Sequence, residues 1–440
     1  MSRPTIPSIA TSVVRVAPWR LASRAGAALL PILLAGWFGR SEATDFYSVV
    51  AALYTLVGAL VFACFQDSAL VRILVDVERE EPRALPRFVG ALAAYTMAAS
   101  LGLALVVGAA TWLWFRVHVA PPLAPLVAPL MIGFSLSLVA LALRSMMSTL
   151  LSARFRFVSE SLGVAAGAVA TIALAAALRG RGLGAMPFAL AGGDLVALAL
   201  LVVAARADGL RVELNWARSA PLRRLWRLMA SEIGGATVVR VNPLVDQLMA
   251  QALGIVGGGT MLRLSGDLGN AGASLLGPLF LSILLSHLAV AGAEGDGRRF
   301  RATLTRSLAL VTSVLGAFSA LAILAREPLV RLVYGRGAMD AAALARIAHV
   351  LPYHLVGLAP LGALLVLARA HVSAGNSRIL VGMGALNAAL NLALNVALAP
   401  ALGLEGIALS TSITSAIVAV IFWVRLPALE SAPTLEAEKA

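Results

Sequence analysis

Cysteine is almost absent from this chain. Cys64 stands alone, so no disulfide can form within the chain. The five histidines (118, 287, 349, 354 and 371) are scattered and never take an H-x-x-x-H spacing. No Cys/His metal cluster follows from the sequence. Charge is scarce too: 13% of residues are Asp, Glu, Lys or Arg, and Lys439 is the only lysine. Long polar stretches are missing as well. The longest one between apolar runs, 206–227, has some twenty residues, so a domain of ~100 residues has nowhere to lie. Arg3, Arg15 and Arg20 interrupt the N-terminus, and no apolar core leads to an A-x-A site. The sequence therefore predicts a retained first helix rather than a cleaved leader.

What fills the chain instead is apolar. Sixty per cent of residues are hydrophobic and the mean hydropathy is +0.89. A helix needs about 20 mainly apolar residues to cross a ~30 Å hydrocarbon core. Twelve stretches qualify: Pro18–Phe38, Phe46–Phe65, Phe88–Phe115, Leu126–Met147, Ser159–Leu178, Leu183–Ala205, Leu228–Leu253, Asp267–Val290, Leu304–Ala325, Leu344–Ala368, Ile379–Ala399 and Gly406–Val424. The expected fold is an all-α polytopic membrane protein. It has about 12 transmembrane helices, in two six-helix lobes around a central cavity.

The net charge of +13 could point to nucleic acid, but its distribution points to a membrane. Basic residues alternate between loops, as the positive-inside rule expects. With the N-terminus in the cytoplasm, 24 of the 35 basic residues fall in inside segments and 8 outside. Arg24, Arg240 and Arg263 lie within spans. Both termini are thus expected in the cytoplasm, of a bacterial inner membrane. The chain divides into a lobe at 1–205, a basic cytoplasmic loop at 206–227, a second lobe at 228–425 and a short tail at 426–440. Trp19-Arg20-Leu21 and Trp226-Arg227-Leu228 open the two lobes alike, each followed by Ser, a charge and Gly. Parallel six-helix repeats with a substrate site between them are a common transporter plan.

Charged and amide side chains inside spans are the candidate functional groups, because a charge near the bilayer centre costs at least ~2.5–3.5 kcal/mol unless it meets a partner or water. Arg20 and Arg24 are i,i+4 and share a helix face. Two guanidinium groups on one face suit a pyrophosphate, whose oxygens they bind bidentately; snorkelling to lipid phosphates is the alternative. Span 7 carries Glu232, Arg240, Asn242, Asp246 and Gln247. These residues line a cavity or form a structural ion pair. Asn387, Asn391 and Asn395 make one stripe on span 11, either as interhelical glue or as a lining for sugar hydroxyls. The hydroxyls of span 12, Ser410 to Ser415, can bond back to their own helix, so no function follows for them. Asp67, Asp194 and Asp267 lie near span ends and could carry a proton or a cation.

Leu329 to Met339, ending Gly335-Arg336-Gly337-Ala338-Met339, resembles the "GRGAF" outer loop of the MurJ/MviN-like lipid II flippases of the MOP exporter superfamily. Leu367-Ala368-Arg369-Ala370 and Gly375-Asn376-Ser377-Arg378 resemble "LARAFYALGDTRTP". Asn387 through Asn395, followed by Ala399-Pro400 and Gly406-Ile407-Ala408-Leu409-Ser410-Thr411-Ser412, resembles "NLxLNLxLIPxxGxxGLALATS". Val241-Asn242-Pro243-Leu244-Val245-Asp246-Gln247 resembles "INxLVDRxLAS". Ser23-Arg24 and Ala43-Thr44-Asp45-Phe46 resemble "SRxLG" and "ATDAF". The resemblance implies a two-lobed flippase that moves an undecaprenyl-pyrophosphate-linked saccharide across the membrane, with Arg24 and Asp45 at positions of the family's cavity motifs. Two motifs depart from the pattern. Val57-Gly58-Ala59 stands where the family has an Arg-Arg pair, and Ser265-Gly266-Asp267-Leu268 replaces "ADRL". Fourteen spans are common in the family, against the twelve stretches found here. Lipid II and an exopolysaccharide or O-antigen repeat unit both stay open as the substrate.

The substrate-binding candidates are therefore Arg24, Asp45, Arg240, Asn242 and Asp246. Arg20, Glu232, Arg263, Asp267, Asn387, Asn391 and Asn395 are cavity or structural candidates, with Arg240 and Arg263 also able to replace the missing family arginines. No catalytic or metal-ligating set is expected, and no cofactor. Coupling to a monovalent cation, a proton or the membrane potential is open. The expected partners are the lipid-linked saccharide, the bilayer and polysaccharide-assembly enzymes, with no nucleic acid. The alternative function is a MATE-type cation-coupled multidrug or metabolite antiporter. That class needs deep acidic residues, whereas Arg24 is the deepest charge of the first lobe. A saccharide polymerase or ligase would need a large outer loop, and the largest, about Arg326–Ala343, has one Glu and one Asp.

Overall fold

The structure is a computed structural model. It describes residues 9–66, 68–118, 121–227, 241–274, 297–374, 376 and 379–426. All regular structure among them is helical. The helices are α1 (Ile9–Phe38), α2 (Glu42–Gln66), α3 (Ser68–Glu80), α4 (Leu85–His118), α5 (Ala124–Ala153), α6 (Phe157–Leu178), α7 (Met186–Ala207), α8 (Asn242–Ala252), α9 (Gly258–Gly269), α10 (Gly297–Leu324), α11 (Arg326–Tyr334), α12 (Ala341–Leu355), α13 (Leu358–Ser373), α14 (Ile379–Leu402) and α15 (Leu404–Val424). Nine segments among the described residues are long and apolar enough to cross a membrane. Leu105, Val106, Leu113, Val203 and Val420 point outward from them, as lipid contact requires. The chain is a multi-pass membrane protein.

The chain forms two compact units. One comprises Met1–Phe38 and Phe46–Thr237, the other Gly39–Asp45 and Val238–Ala440. The segment 206–227, read from sequence as a loop between lobes, packs on the first unit. Residues 220–227 are helical, and Leu222 and Leu225 are buried in a core with Leu74, Phe88, Met146 and Leu201. The irregular stretch before that helix is pinned to α4. The Glu213 amide donates to Pro86 O at 3.1 Å, Asn215 Nδ2 to Arg87 O at 2.8 Å, and Tyr95 Oη to Trp216 O at 3.1 Å. Gly90 is needed there, because a Cβ would stand 1.7 Å from Glu213 O. At about 1.5 Å per residue, the 34-residue α4 is about 50 Å long, so it outruns the hydrocarbon core and reaches this segment.

Helix α3 is absent from the sequence expectation. Its apolar stripe (Leu70, Ile73, Leu74, Val77) is buried in the first core, and its charges face away. Around it, Arg154 bridges Glu78 at 2.8 Å and Asp208 at 3.0 Å, Arg156 also meets Asp208, and Arg224 meets Asp76 at 3.5 Å. These bridges tie the ends of α3, α5 and α7 to helix 220–227.

In the second unit, Phe300, Leu304, Val366, Leu367, Val418 and Phe422 form a core of α10, α13 and α15. The span expected at Leu344–Ala368 is broken into α12 and α13. Pro352 removes a donor near the end of α12, Pro360 falls in the first turn of α13, and Gly357 lies between the two helices. Gly357 also lets α15 approach, since a Cβ would stand 2.3 Å from Ser412 Oγ. Asp267, expected at the start of a span, lies near the end of α9 instead. The rest of that expected span, 275–290, is outside the described residues.

Candidate functional site

Close packing brings the polar groups of the first unit together. Gly167 and Gly193 let α6 and α7 touch: a Cβ on Gly193 would stand 1.8 Å from Thr171 Oγ1, and one on Gly167 would stand 2.6 Å from Ala197 Cβ. Gly26 brings α1 to within 3.0 Å of Ala168 on the same measure. Small residues act here as they do in other membrane helix pairs. A cavity of about 370 Å3 remains between α1, α5, α6 and α7. Its polar lining includes Ser23 and Arg24 from α1, Arg144 and Ser148 from α5, Glu160 from α6 and Asp194 from α7.

Three of these charges are held in place by neighbours. Arg144 Nε lies 2.8 Å from Asp194 Oδ1, and both side chains are mostly buried, at 13% and 20% exposure. Ser137 Oγ donates to the other Asp194 oxygen at 3.5 Å. Glu160 accepts from Ser148 at 2.6 Å and from Ser161 at 2.9 Å. Arg24 itself is exposed and lines the cavity. Arg20 is exposed one turn earlier and does not line the cavity. Its carbonyl accepts from Ser23 Oγ at 2.9 Å. Reading the sequence missed Arg144 and Glu160 as site residues. The available signal was their spacing to serines at 145, 148 and 161.

The second unit gathers the amide stripe. Asn395 Nδ2 donates to Asp246 Oδ1 at 2.7 Å and to Asn391 Oδ1 at 3.3 Å. Asn391 Nδ2 donates to Thr411 Oγ1 at 3.1 Å, and Thr411 Oγ1 donates to Asp246 Oδ2 at 3.3 Å. Ser410 Oγ donates to Asn395 Oδ1. Asn242 Nδ2 donates to Asn387 Oδ1 at 2.7 Å. The seam therefore joins α8, α14 and α15. Asn391 and Asn395 are fully buried. Ser410 and Thr411, to which the sequence assigned no role, complete it.

Asp45, Arg263 and Asp267 belong to neither cluster. Asp45 caps α9: its carboxylate accepts from the Gly257 amide at 2.6 Å and from the Thr260 amide at 2.8 Å. Arg263 and Asp267 sit one turn apart on α9. Glu232 and Arg240 lie outside the described residues. No group of three His, Cys, Asp or Glu among the described residues is arranged to hold a metal ion.

Comparison with known proteins agrees with this architecture. The family model described as lipid II flippase MurJ matches residues 34–434. A solved structure of lipid II flippase MurJ in an inward closed conformation overlays with a TM-score of 0.76 at 16% identity, over 94% of this chain and 86% of that one. The Vibrio cholerae MATE transporter VcmN overlays at 0.61 and 12% identity, over 94% and 96%. A MOP superfamily transporter from Pyrococcus furiosus overlays at 0.62 and 13% identity, over 96% of each chain. No curated protein sequence matches. The family match spans nearly the whole chain, and the MurJ overlay exceeds these two: the chain belongs to the lipid II flippase MurJ family.

Proposed function

We propose that the chain flips an undecaprenyl-pyrophosphate-linked saccharide, lipid II or a related repeat unit, by alternating access. In this reading the cavity of the first unit receives the pyrophosphate. The observation that carries it is Arg24, an exposed guanidinium on the wall of a charged cavity within a membrane bundle. Such a group binds phosphate oxygens through two parallel N–H donors. Arg144 lies against Asp194, and Ser148 and Ser161 donate to Glu160.

Arg24→Ala should abolish appearance of the lipid-linked saccharide in the outer leaflet while protein level holds. Arg24→Lys should restore only part, because an ammonium is a point charge. Full transport by the alanine variant sinks the assignment. Coupling belongs to the same proposal: dissipating the proton gradient, the sodium gradient and the potential one at a time in proteoliposomes identifies which of them drives transport. Polysaccharide-assembly enzymes would take the product.

Both termini are proposed to face the cytoplasm. In a Cys64-free background, cysteines placed at 3, 215 and 435 should stay unreacted to an external impermeant label, and cysteines at 257 and 402 should react. External labelling at 215 reverses the orientation.

A further inference from the structure

Helix α11 starts at Arg326, immediately after the 28-residue α10 ends at Leu324. It therefore runs where hydrocarbon gives way to headgroups. Leu321 and Leu324, at the end of α10, and Leu332, on α11, are exposed at 68%, 82% and 67%, and Val330 of α11 is buried. Apolar side chains on the lipid side with charges alongside mark an interfacial helix. The GRGAM run that follows α11 carried the family resemblance, but the transport reading gives this region no role.

Between α11 and α12 lies a cavity of about 270 Å3. Arg326, Glu327 and Arg331 line it from α11, and Leu344, Ala348 and His349 line it from α12. The nearby acid Glu405 is taken up: its oxygens lie 2.7 Å from Arg346 Nη2 and 2.7 Å from His349 Nδ1. Asp340 is likewise bound to Arg40 at 3.0 Å. Arg326 and Arg331 have no acidic partner among the described residues. Two unpaired guanidinium groups thus face a concave pocket at headgroup depth, opposed by the single carboxylate of Glu327. Arginines that only snorkel need no pocket.

We propose that this cavity binds the phosphate of a membrane lipid headgroup, with Arg326 and Arg331 as its clamp. The site lies wholly in the second unit and is separate from the Arg24 cavity. It does not depend on which lipid is transported.

The test uses the full-length purified protein in detergent, with native mass spectrometry as the readout. The probes are short-chain phosphatidic acid, the matching uncharged diacylglycerol and inorganic phosphate, at equal concentration. Phosphatidic acid should bind and diacylglycerol should not. Binding should be about tenfold weaker or more in R326Q/R331Q, because charged hydrogen bonds are lost. Both arginines are exposed, so that variant should melt with the parent; R326K/R331K, which keeps the charges, should bind at an intermediate level. Glu327→Gln should tighten binding, which a merely snorkelling pair would not do. Undiminished binding by R326Q/R331Q overturns the site. Displacement of phosphatidic acid by equal inorganic phosphate overturns the lipid assignment in favour of a soluble anion.

Discussion

Asn395 and Asp246 are 149 residues apart in sequence, yet the amide donates to the carboxylate at 2.7 Å. The same amide oxygen takes a bond from Ser410. Asn395 therefore meets an acceptor on one side and a donor on the other, at a fully buried position. Asn395→Ala should lower thermal stability in detergent by roughly 1–2 kcal/mol, the scale of interhelical hydrogen bonds in membranes. Asn242→Ala, at a half-buried position whose amide bonds Asn387, should cost less. If the Asn395→Ala protein melts with the parent and fails to transport, the seam is not structural.

Close helix contact in the first unit makes a second expectation. A Cβ at Gly193 would meet Thr171 Oγ1 at 1.8 Å and Gly167 O at 2.6 Å. Gly193→Ala should destabilise by about 1–3 kcal/mol, the usual cost of overpacking. Gly193→Ala/Thr171→Ala should recover only part of it, since the Gly167 carbonyl is backbone and stays in the way. Thermal unfolding of the two variants compares these directly. Complete recovery would mean that α6 and α7 separate freely at this point.

Which parts of this were legible depends on what the physical signal was. Asn387, Asn391 and Asn395 repeat every four residues, so helical periodicity alone puts them on one face. Their partners Ser410 and Thr411 were not legible, because a hydroxyl in a helix can satisfy itself on its own backbone, as Ser410 also does with Ile407 O at 2.7 Å. Helix α3 was hidden by its charges: Asp76, Glu78, Arg79 and Glu80 lower its hydropathy below any span threshold, while the buried stripe needs only four residues. Arg144 and Glu160 belong to no motif in the sequence, and only the packing of α5 on α6 and α7 brings them to one cavity. The break at Val356 follows from Pro352 and Gly357, which the apolar run on either side masked.

The cap of α12 sets a pH dependence. Asp340 accepts from the Ala343 amide at 2.7 Å and from Arg40 at 3.0 Å. The amide first, then the guanidinium, hold its carboxyl below the ordinary 3.8. A depressed folded value means that the carboxylate stabilises fully above that ordinary value and that the contribution is lost as pH falls through the lowered one. The parent should therefore melt above Asp340→Asn at neutral pH, with the gap closing as the medium is acidified below 3.8. A gap that stays constant to lower pH would assign the difference to something other than ionisation.

The Arg144–Asp194 pair allows a structural charge to be told from one that meets substrate. The bridge is 2.8 Å long and mostly buried, so removing either partner strands the other charge, at a cost of about 3–5 kcal/mol. Arg144→Ala and Asp194→Ala should each lower thermal stability strongly. The double variant should regain much of the loss, because no unpaired charge is left. Transport separates the roles. If the pair only holds α5 to α7, activity per folded protein should return with stability in the double variant. If Arg144 also contacts the pyrophosphate, the double variant should be stable and inactive, and adding Asp194→Asn to the parent should leave more activity than adding Arg144→Gln. That order follows from charge: the asparagine variant keeps the cation on the cavity wall, and the glutamine variant removes it. Equal activity of the two single variants at equal protein level would leave Arg24 as the wall's binding cation and Arg144 as its support.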